Sequence, residues 1–307
     1  MKSTRYTLGE TPTQVVHAWL PDTDVRAVLH IAHGMAEHGA RYARMAEPLV
    51  ARGWAVYAND LRGHGETAQA DEDLGFFAEE DGWNAVLSDL HACVQHERKE
   101  HPDVPYVLLG HSLGALLAQQ YLYTHGDTID AAVLSGASGA PSFIAKLGRY
   151  VARFERMRLG PQGNSGILNA LSFGDFNKKF RPNRTDFDWL SRDEAEVDKY
   201  VADPRCGFQC STQLWVDLLD AIPVLTSPSN QEKIRKDLPI YLFSGSRDPV
   251  GEMGKSVRAL TASYESVGLS RVTLKLYEDG RHEMMNETNH EEVIGDLVEW
   301  LEATISL

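Results

Sequence analysis

Short apolar runs alternate along most of the chain with longer segments in which apolar residues recur every three or four positions. The short runs, which are typical of buried strands, cover residues 15–20, 27–33, 54–59, 104–109, 131–135, 239–243 and 272–277. The segments with helical periodicity cover residues 42–52, 81–100, 113–123 and 291–304, with a further one beginning at residue 253. This alternation is typical of a mostly parallel sheet with helices on both faces. We therefore predict an α/β fold.

The alternation is interrupted after residue 138 and resumes at residues 239–243. The residues between have helical periodicity and no clear strand. An insertion at this point would lie above the carboxyl ends of the strands, where ligands bind in open α/β sheets. Since no linker-like segment and no internal repeat divides the chain, we predict one core formed by 1–137 and 238–307, with a helical cap formed by 138–237.

The segment Gly110-His111-Ser112-Leu113-Gly114 lies between a predicted strand and a predicted helix. In that setting the pattern G-x-S-x-G is typical of a nucleophile elbow, a tight turn that holds the serine in a strained backbone conformation. We expect that a Cβ at Gly110 or Gly114 would collide with the neighbouring strand or helix. The helix after Ser112 directs its free N–H groups towards the reaction centre, so the Leu113 N–H is predicted to stabilise an oxyanion.

A nucleophilic serine needs a base, and the base needs an acid that orients it. Of the twelve histidines, His282 is favoured because it lies in the loop after the last predicted strand, at the same edge of the sheet as Ser112. Asp248 follows strand 239–243 and completes the chain order Ser, Asp, His. The other candidates for the acid are Glu252, Glu278, Asp279 and Glu283, of which Glu283 adjoins the base and cannot easily reach its Nδ1.

A second oxyanion donor is expected from the loop after strand 27–33, which reads His33-Gly34-Met35-Ala36-Glu37-His38. The N–H of Met35 is the natural candidate, because Gly34 keeps the backbone there free of side-chain obstruction. We expect His38, Arg41 and Tyr42 to brace this loop. The run Asp60-Leu61-Arg62-Gly63-His64-Gly65 follows another strand and is expected to have a structural role.

Composition narrows the classes of partner. The 307 residues carry a formal net charge of −14, which excludes the basic surface that nucleic-acid binding requires. The chain starts without an apolar leader and has no stretch long enough to span a bilayer, so a cytoplasmic protein is expected. The three cysteines are interpreted as free thiols, because Cys206 and Cys210 lack further ligands at zinc spacing. No metal or other cofactor is predicted.

The start of the cap is a basic segment in an acidic chain. An apolar stripe recurs there at helical spacing, formed by Phe143, Leu147, Tyr150, Val151 and Phe154. A second face carries Lys146, Arg149, Arg153 and Arg156. Two interpretations stay open: peripheral contact with a membrane or micelle, or packing of the stripe on the core with solvated arginines. Phe173, Phe176 and Phe180 either line an acyl site or pack the cap, and the predicted substrate contacts are Phe143, Leu147, Phe173 and Phe176.

Five motifs together resemble the monoacylglycerol lipase and lysophospholipase branch of the α/β-hydrolases, which is grouped with the serine aminopeptidase-like hydrolases. They are HGMAEHGARY, NDLRGHGET, GHSLG, SGSRDPVG and GRHEMMNE, and the resemblance covers nearly the whole chain. It implies the α/β-hydrolase fold with Ser112, Asp248 and His282 as catalytic triad and Met35 and Leu113 as oxyanion donors. Met35 departs from the smaller residue often found there, which suggests a narrower acyl pocket. The family-like segment Asp186-Phe187-Asp188-Trp189-Leu190 receives no chemical role.

The leading functional hypothesis is a serine carboxylic-ester hydrolase that cleaves lipids with a single acyl chain, such as monoacylglycerols or lysophospholipids, through an acyl-enzyme. The alternatives are a carboxylesterase for small esters and a serine aminopeptidase. For the aminopeptidase, acidic cap residues would hold the substrate ammonium, and the candidates are Glu194, Glu196, Asp198 and Asp203. A ligand-binding protein without turnover is disfavoured, because the triad and both elbow glycines are intact.

Overall fold

The computed structural model of the protein describes residues 1–9, 12–139 and 143–305, and for residues 143–146 it describes the backbone alone. Within this part of the chain eight strands form one sheet: β1 (Lys2–Leu8), β2 (Gln14–Leu20), β3 (Ala27–Ala32), β4 (Trp54–Asn59), β5 (Tyr106–His111), β6 (Ala131–Ser135), β7 (Ile240–Gly245) and β8 (Val272–Tyr277). The helices found there are α1 (Ala43–Val50), α2 (Gly82–Glu100), α3 (Leu113–Thr124), α4 (Phe143–Leu159), α5 (Gly166–Ser172), α6 (Gly174–Lys178), α7 (Glu194–Ala202), α8 (Thr212–Leu225), α9 (Pro228–Gln231), α10 (Lys255–Ser266) and α11 (His290–Thr304).

The strands follow the order β1-β2-β4-β3-β5-β6-β7-β8 across the sheet. The pairings from β4 to β8 are parallel, whereas β1 and β2 pair in antiparallel fashion at one edge. Every residue of β3, β4, β5, β6 and β7 is buried, because helices cover both faces of the sheet. The predicted α/β architecture is therefore confirmed.

Strand β1 has no counterpart in the sequence prediction. It lies at the edge of the sheet, and most of its residues are exposed. An edge strand with solvent on its faces needs no apolar run, so the pattern that predicts the central strands is missing there.

Two apolar cores lie on opposite faces of the sheet. One is formed with α2, α3, α8 and α10, and its buried side chains include Leu90, Leu117, Leu214 and Val257. The other is formed with α1 and α11, and its buried side chains include Leu49 and Leu297. Among the helices that the structure describes, none combines the length and the apolar character needed to cross a membrane.

Helices α4 to α9 lie between β6 and β7 in the chain, in the region predicted as a cap. In the described part of this region, strand-like pairing is limited to an isolated bridge between Asn164 and Ser211. Backbone hydrogen bonds attach the region to the rest of the fold, with Gly207 donating to Ala36 at 2.9 Å and Glu283 donating to Leu190 at 2.8 Å. Its division from the core as a separate unit stays a prediction.

Candidate active site

Ser112 occupies a strained turn between β5 and α3. Its φ is 51° and its ψ is −111°, a conformation that non-glycine residues rarely adopt. Its N–H donates to the carbonyl of Ser135 at 2.9 Å, which ties the turn to the end of β6. A Cβ on Gly110 would overlap with the backbone of Gly114, and one on Gly114 would overlap with the carbonyl oxygen of Ala32. The expected collisions at both elbow glycines are therefore confirmed.

The loop after β3 packs directly against this turn. A Cβ on Gly34 would lie 3.4 Å from the Cβ of Ser112, so the backbone leading into Met35 runs beside the serine. The Gly34 N–H donates to Oε1 of Glu37 at 2.6 Å, and the Tyr42 hydroxyl donates to the same oxygen at 2.9 Å. The loop therefore has a fixed shape beside Ser112, as an oxyanion donor requires.

His282 and Asp248 form a buried hydrogen-bonded pair. Nδ1 of His282 lies 3.0 Å from each carboxylate oxygen of Asp248. The exposed fractions are 2% for His282 and 0% for Asp248. Asp248 also accepts from the Ser244 hydroxyl at 3.0 Å and from the Val250 N–H at 2.9 Å. These bonds hold the carboxylate in place, and the carboxylate orients the imidazole through Nδ1. The second ring nitrogen of His282, Nε2, does not bond Asp248.

Ser112 and His282 each lie beside the carboxyl end of β6. A Cβ on Gly136 would lie 2.9 Å from Cε1 of His282, so only a glycine leaves room for the imidazole there. The neighbouring residue, Ser135, supplies the carbonyl that binds the Ser112 N–H. The structure thus brings Ser112, His282 and Asp248 from three separate loops to one edge of the sheet.

The ionisation of the pair is set by burial and by their mutual charge. Burial lowers the pKa of His282, but the charge and hydrogen bond of Asp248 outweigh it and raise the pKa above its usual 6.5. Burial raises the pKa of Asp248, but His282 and the other donors hold it below its usual 3.8. By contrast, burial and the neighbouring His282 lower the pKa of His111 to about 4. Nδ1 of His111 bonds Ser135 Oγ at 3.1 Å.

A buried ion network surrounds the site. Arg41 donates to Glu283 at 2.8 and 2.7 Å and to Glu37 at 2.5 Å. Both carboxylate oxygens of Glu283 are therefore engaged by Arg41. His38 instead bonds Asp203 at 2.9 Å, which connects the loop after β3 to the region between β6 and β7.

Trp189 is a residue of the site to which the sequence analysis assigns no role. Its ring centroid lies 5.3 Å from that of His282 and 5.9 and 5.3 Å from those of Phe173 and Phe176. The predicted substrate contacts Phe173 and Phe176 are thus joined to the histidine through Trp189. In the sequence, Trp189 is marked only by its place in a family-like segment. Nothing in that segment indicates where Trp189 lies relative to the sheet.

The other two predicted substrate contacts are on α4. Leu147 is 50% exposed, and the side chain of Phe143 lies outside the described residues. Tyr150, Phe154 and Met157 are 61%, 56% and 76% exposed on the same helix. The stripe residues Leu147, Tyr150 and Phe154 therefore point to solvent rather than into the core.

The arginines of α4 are partly exposed and partly engaged by neighbouring side chains. Arg153 pairs with Asp220 at 2.7 Å, and Arg149 approaches the same carboxylate at 3.7 Å. Arg156 donates to Gln213, and Arg158 pairs with the buried Glu155 at 2.6 Å. Asp220 and Glu155 therefore offset part of the positive charge of this helix, while Arg156 is held by a neutral amide.

One trio of possible metal ligands occurs in the described part of the chain. The ligand atoms of His38, Asp203 and Cys206 lie within 4.8 Å of one another. His38 and Asp203 already bond each other, and the Arg41 guanidinium lies near enough to influence the ionisation of Asp203 and Cys206. A cation in that position would compete with both interactions. Cys93, Cys206 and Cys210 are free thiols, as predicted.

A mostly parallel sheet that presents a serine on a strained strand-to-helix turn, with a His–Asp pair at the same edge, is the architecture of the α/β-hydrolases, and the chain is a protein of that class. Within it, the chain belongs to the serine aminopeptidase S33 family, which matches residues 23–289.

The chain is 33% identical over 276 residues to phospholipase YtpA of Bacillus subtilis, covering 90% of this chain and 94% of that one. It is 29% identical over 289 residues to a monoacylglycerol lipase of Mycolicibacterium smegmatis, covering 94% and 92%. A crystal structure of a thermostable carboxyl esterase from Bacillus coagulans superimposes with a TM-score of 0.90, at 25% identity and 99% coverage of both chains.

Proposed function

We propose that the protein is a serine hydrolase that cleaves the carboxylic ester of lipids with a single acyl chain, such as monoacylglycerols or lysophospholipids. The observation that carries the proposal is the buried Asp248–His282 pair beside the strained Ser112 turn. The similarity to a monoacylglycerol lipase and to a phospholipase over nearly the whole chain supports the lipid ester as substrate.

The proposed mechanism follows from the orientation of the pair. Because Asp248 binds Nδ1 of His282, the free Nε2 takes the proton of Ser112 as Oγ attacks the ester carbonyl. The N–H groups of Met35 and Leu113 stabilise the oxyanion of the tetrahedral intermediate. His282 then protonates the leaving alcohol, and water repeats the sequence on the acyl-enzyme to release the fatty acid.

The ion pairs of the acidic residues considered for an aminopeptidase argue against that activity. A substrate ammonium needs a carboxylate that no protein cation already holds. Glu196 pairs with Arg44 at 3.1 Å and with Lys199 at 2.6 Å. Arg184 pairs with Asp198 at 2.5 Å and approaches Glu194 at 3.8 Å, while Asp203 bonds His38. The ester hydrolase is therefore favoured over peptide cleavage.

We further propose that residues 138–237 form a cap and that its helix α4 touches a lipid surface. The support is the row of exposed apolar side chains at positions 147, 150, 154 and 157, which recur at helical spacing. Ile167 and Leu171 on the following helix α5 are exposed as well, at 52% and 61%. Apolar area of this kind on a surface helix is typical of peripheral contact with membranes or micelles. Since Asp220 and Glu155 offset part of the charge of the α4 arginines, the contact is expected to be mainly hydrophobic.

The test is a series of monoacylglycerols and p-nitrophenyl esters of increasing acyl length, with Ser112→Ala as the inactive control. We expect kcat/KM to rise with acyl length and to be abolished in the variant, with a fluorophosphonate probe labelling the wild type alone. A preference for acetate or butyrate would retain Ser112 as nucleophile and replace the lipid substrate by small esters. Turnover of aminoacyl substrates without ester turnover would overturn the proposal.

A further inference from the structure

The indole N–H of Trp189 is buried and lacks an acceptor. The side chain is 5% exposed, and its Nε1 has no hydrogen-bond partner among the described residues. The backbone of the same residue is satisfied, because its N–H donates to Oδ1 of Asn177 at 3.0 Å. Buried tryptophans usually find a partner for the indole N–H. An isolated donor of this kind, in an active site, points to an acceptor that belongs to the substrate.

The position of this indole is firmly determined. The Glu283 N–H donates to the carbonyl of Leu190 at 2.8 Å, and the Arg281 guanidinium donates to the carbonyls of Asp188 and Ser191. The residues on both sides of Trp189 are thus bonded to the residues on both sides of His282. This double attachment accounts for the 5.3 Å between the two ring centroids. The indole and the imidazole therefore keep a fixed relation.

The place beside His282 identifies the part of the substrate that Trp189 would meet. In the proposed mechanism His282 gives its proton to the leaving alcohol, so that alcohol lies next to the imidazole. An acyl chain offers no acceptor to an N–H group, whereas a polyol offers hydroxyl oxygens. Phe173 and Phe176 pack on the indole and supply an apolar surface.

We infer that Trp189 is a specificity-determining residue whose indole N–H donates a hydrogen bond to a hydroxyl oxygen of a polyol leaving group, such as the glycerol of a monoacylglycerol. This inference rests on the proposed function and adds the preferred alcohol to it. A site built to bond a substrate oxygen discriminates against the analogue that lacks the oxygen, because the buried donor then stays unpaired. Esters of simple alcohols with the same acyl chain are therefore poorer substrates.

The test compares 1-lauroylglycerol with ethyl laurate in the wild type and in Trp189→Phe, which keeps an aromatic ring and removes the N–H. We expect kcat/KM for 1-lauroylglycerol to fall about tenfold in the variant, the value of one hydrogen bond. For ethyl laurate we expect a change of less than about twofold, since no such bond is lost. The matched control is Trp215→Phe, because Trp215 also packs on Phe173 and its loss should leave the ratio of the two substrates unchanged.

An unchanged ratio in Trp189→Phe, or an equal fall for both esters, would overturn the inference and assign the indole a purely structural role. Should the variant fail to fold, the wild type decides by comparing 1-lauroylglycerol with propyl laurate, which lacks both free hydroxyls. A preference for the glycerol ester of about tenfold or more supports the inference, and equal kcat/KM values overturn it. A wild type that hydrolyses none of these esters would instead refute the proposed function itself.

Discussion

Arg41 binds both carboxylate oxygens of Glu283, at 2.8 and 2.7 Å, although the two residues are 242 positions apart in the chain. The same guanidinium binds Glu37, whose other oxygen accepts the N–H of Gly34. Glu283 directly follows His282. A single side chain therefore joins the loop that carries one proposed oxyanion donor to the loop that carries the proposed base.

Replacing Arg41 by methionine is expected to destabilise the fold strongly. The change leaves Glu37 and Glu283 buried without their cation, and breaking a buried ion pair in this way costs about 3–5 kcal/mol. Urea unfolding at pH 7 measures the loss. The matched control is Arg153→Met, whose pair with Asp220 is half-exposed and is expected to contribute less than about 1 kcal/mol. Similar losses of unfolding free energy for the two variants would contradict a large contribution of the Arg41 network to stability.

The stability deficit of Arg41→Met is expected to depend on pH. Burial alone would raise the pKa of Glu37, but the charge of Arg41 and the other neighbours lower this pKa to about 2. A carboxyl group with a lowered pKa stabilises the fold above its unfolded pKa, about 4.3, and that stabilisation is lost as the pH falls through the folded pKa. The difference between wild type and variant should therefore shrink between about pH 4 and pH 2. If the difference in unfolding free energy between wild type and variant stays constant across this pH range, Arg41 acts through packing alone.

Asp248→Asn is expected to lower kcat about 10⁴-fold, because the amide no longer holds the His282 tautomer that accepts the serine proton. The pH profile carries a second signature. Asp248 raises the pKa of His282, and the base must be neutral to act, so residual activity in the variant should begin at lower pH. The matched control is Ser244→Ala, which removes one hydrogen bond to Asp248 but keeps the carboxylate, and a loss of no more than about tenfold is expected. A fully active Asp248→Asn would remove this residue from the triad.

Two helical glycines offer a contrast between packing and propensity. A Cβ on Gly114 in α3 would overlap with the carbonyl oxygen of Ala32, so Gly114→Ala must shift β3 or α3 and should cost at least about 2 kcal/mol. A Cβ on Gly295 in α11 meets nothing within 4 Å. Gly295→Ala should therefore gain about 0.5–1 kcal/mol from the better helix propensity of alanine. Thermal unfolding of both variants checks the pair, and a neutral Gly114→Ala would contradict the close approach of α3 to β3.

The central strands and the elbow could be predicted because their signals are local. A fully buried strand such as β5 is an apolar run, and the glycines around Ser112 occupy fixed positions in a short motif. The position of Trp189 could not be predicted, since it follows from hydrogen bonds between residues nearly a hundred positions apart. The orientation of α4 is a similar case. An apolar stripe has the same sequence whether it faces the core or the solvent, and the structure turns Phe154 outwards while it buries Glu155.

The outward stripe leads to a prediction about lipid binding. Transfer of Phe154 and Met157 into an apolar phase is worth about 1.5–3 kcal/mol for each side chain, so the double change to serine should weaken binding to phosphatidylcholine vesicles by at least about tenfold. Turnover of a soluble p-nitrophenyl ester should stay unchanged, because both side chains are exposed on α4 and belong to none of the proposed catalytic groups. Vesicle co-sedimentation measures the binding, with Val201→Ser as the control, because Val201 is a half-exposed apolar side chain on α7. Because Asp220 and Glu155 offset part of the charge of the α4 arginines, adding anionic lipid or salt should change the binding less than the double variant does. Unaltered vesicle binding by the double variant would refute α4 as the lipid-contacting surface, and strong salt dependence would refute its hydrophobic character.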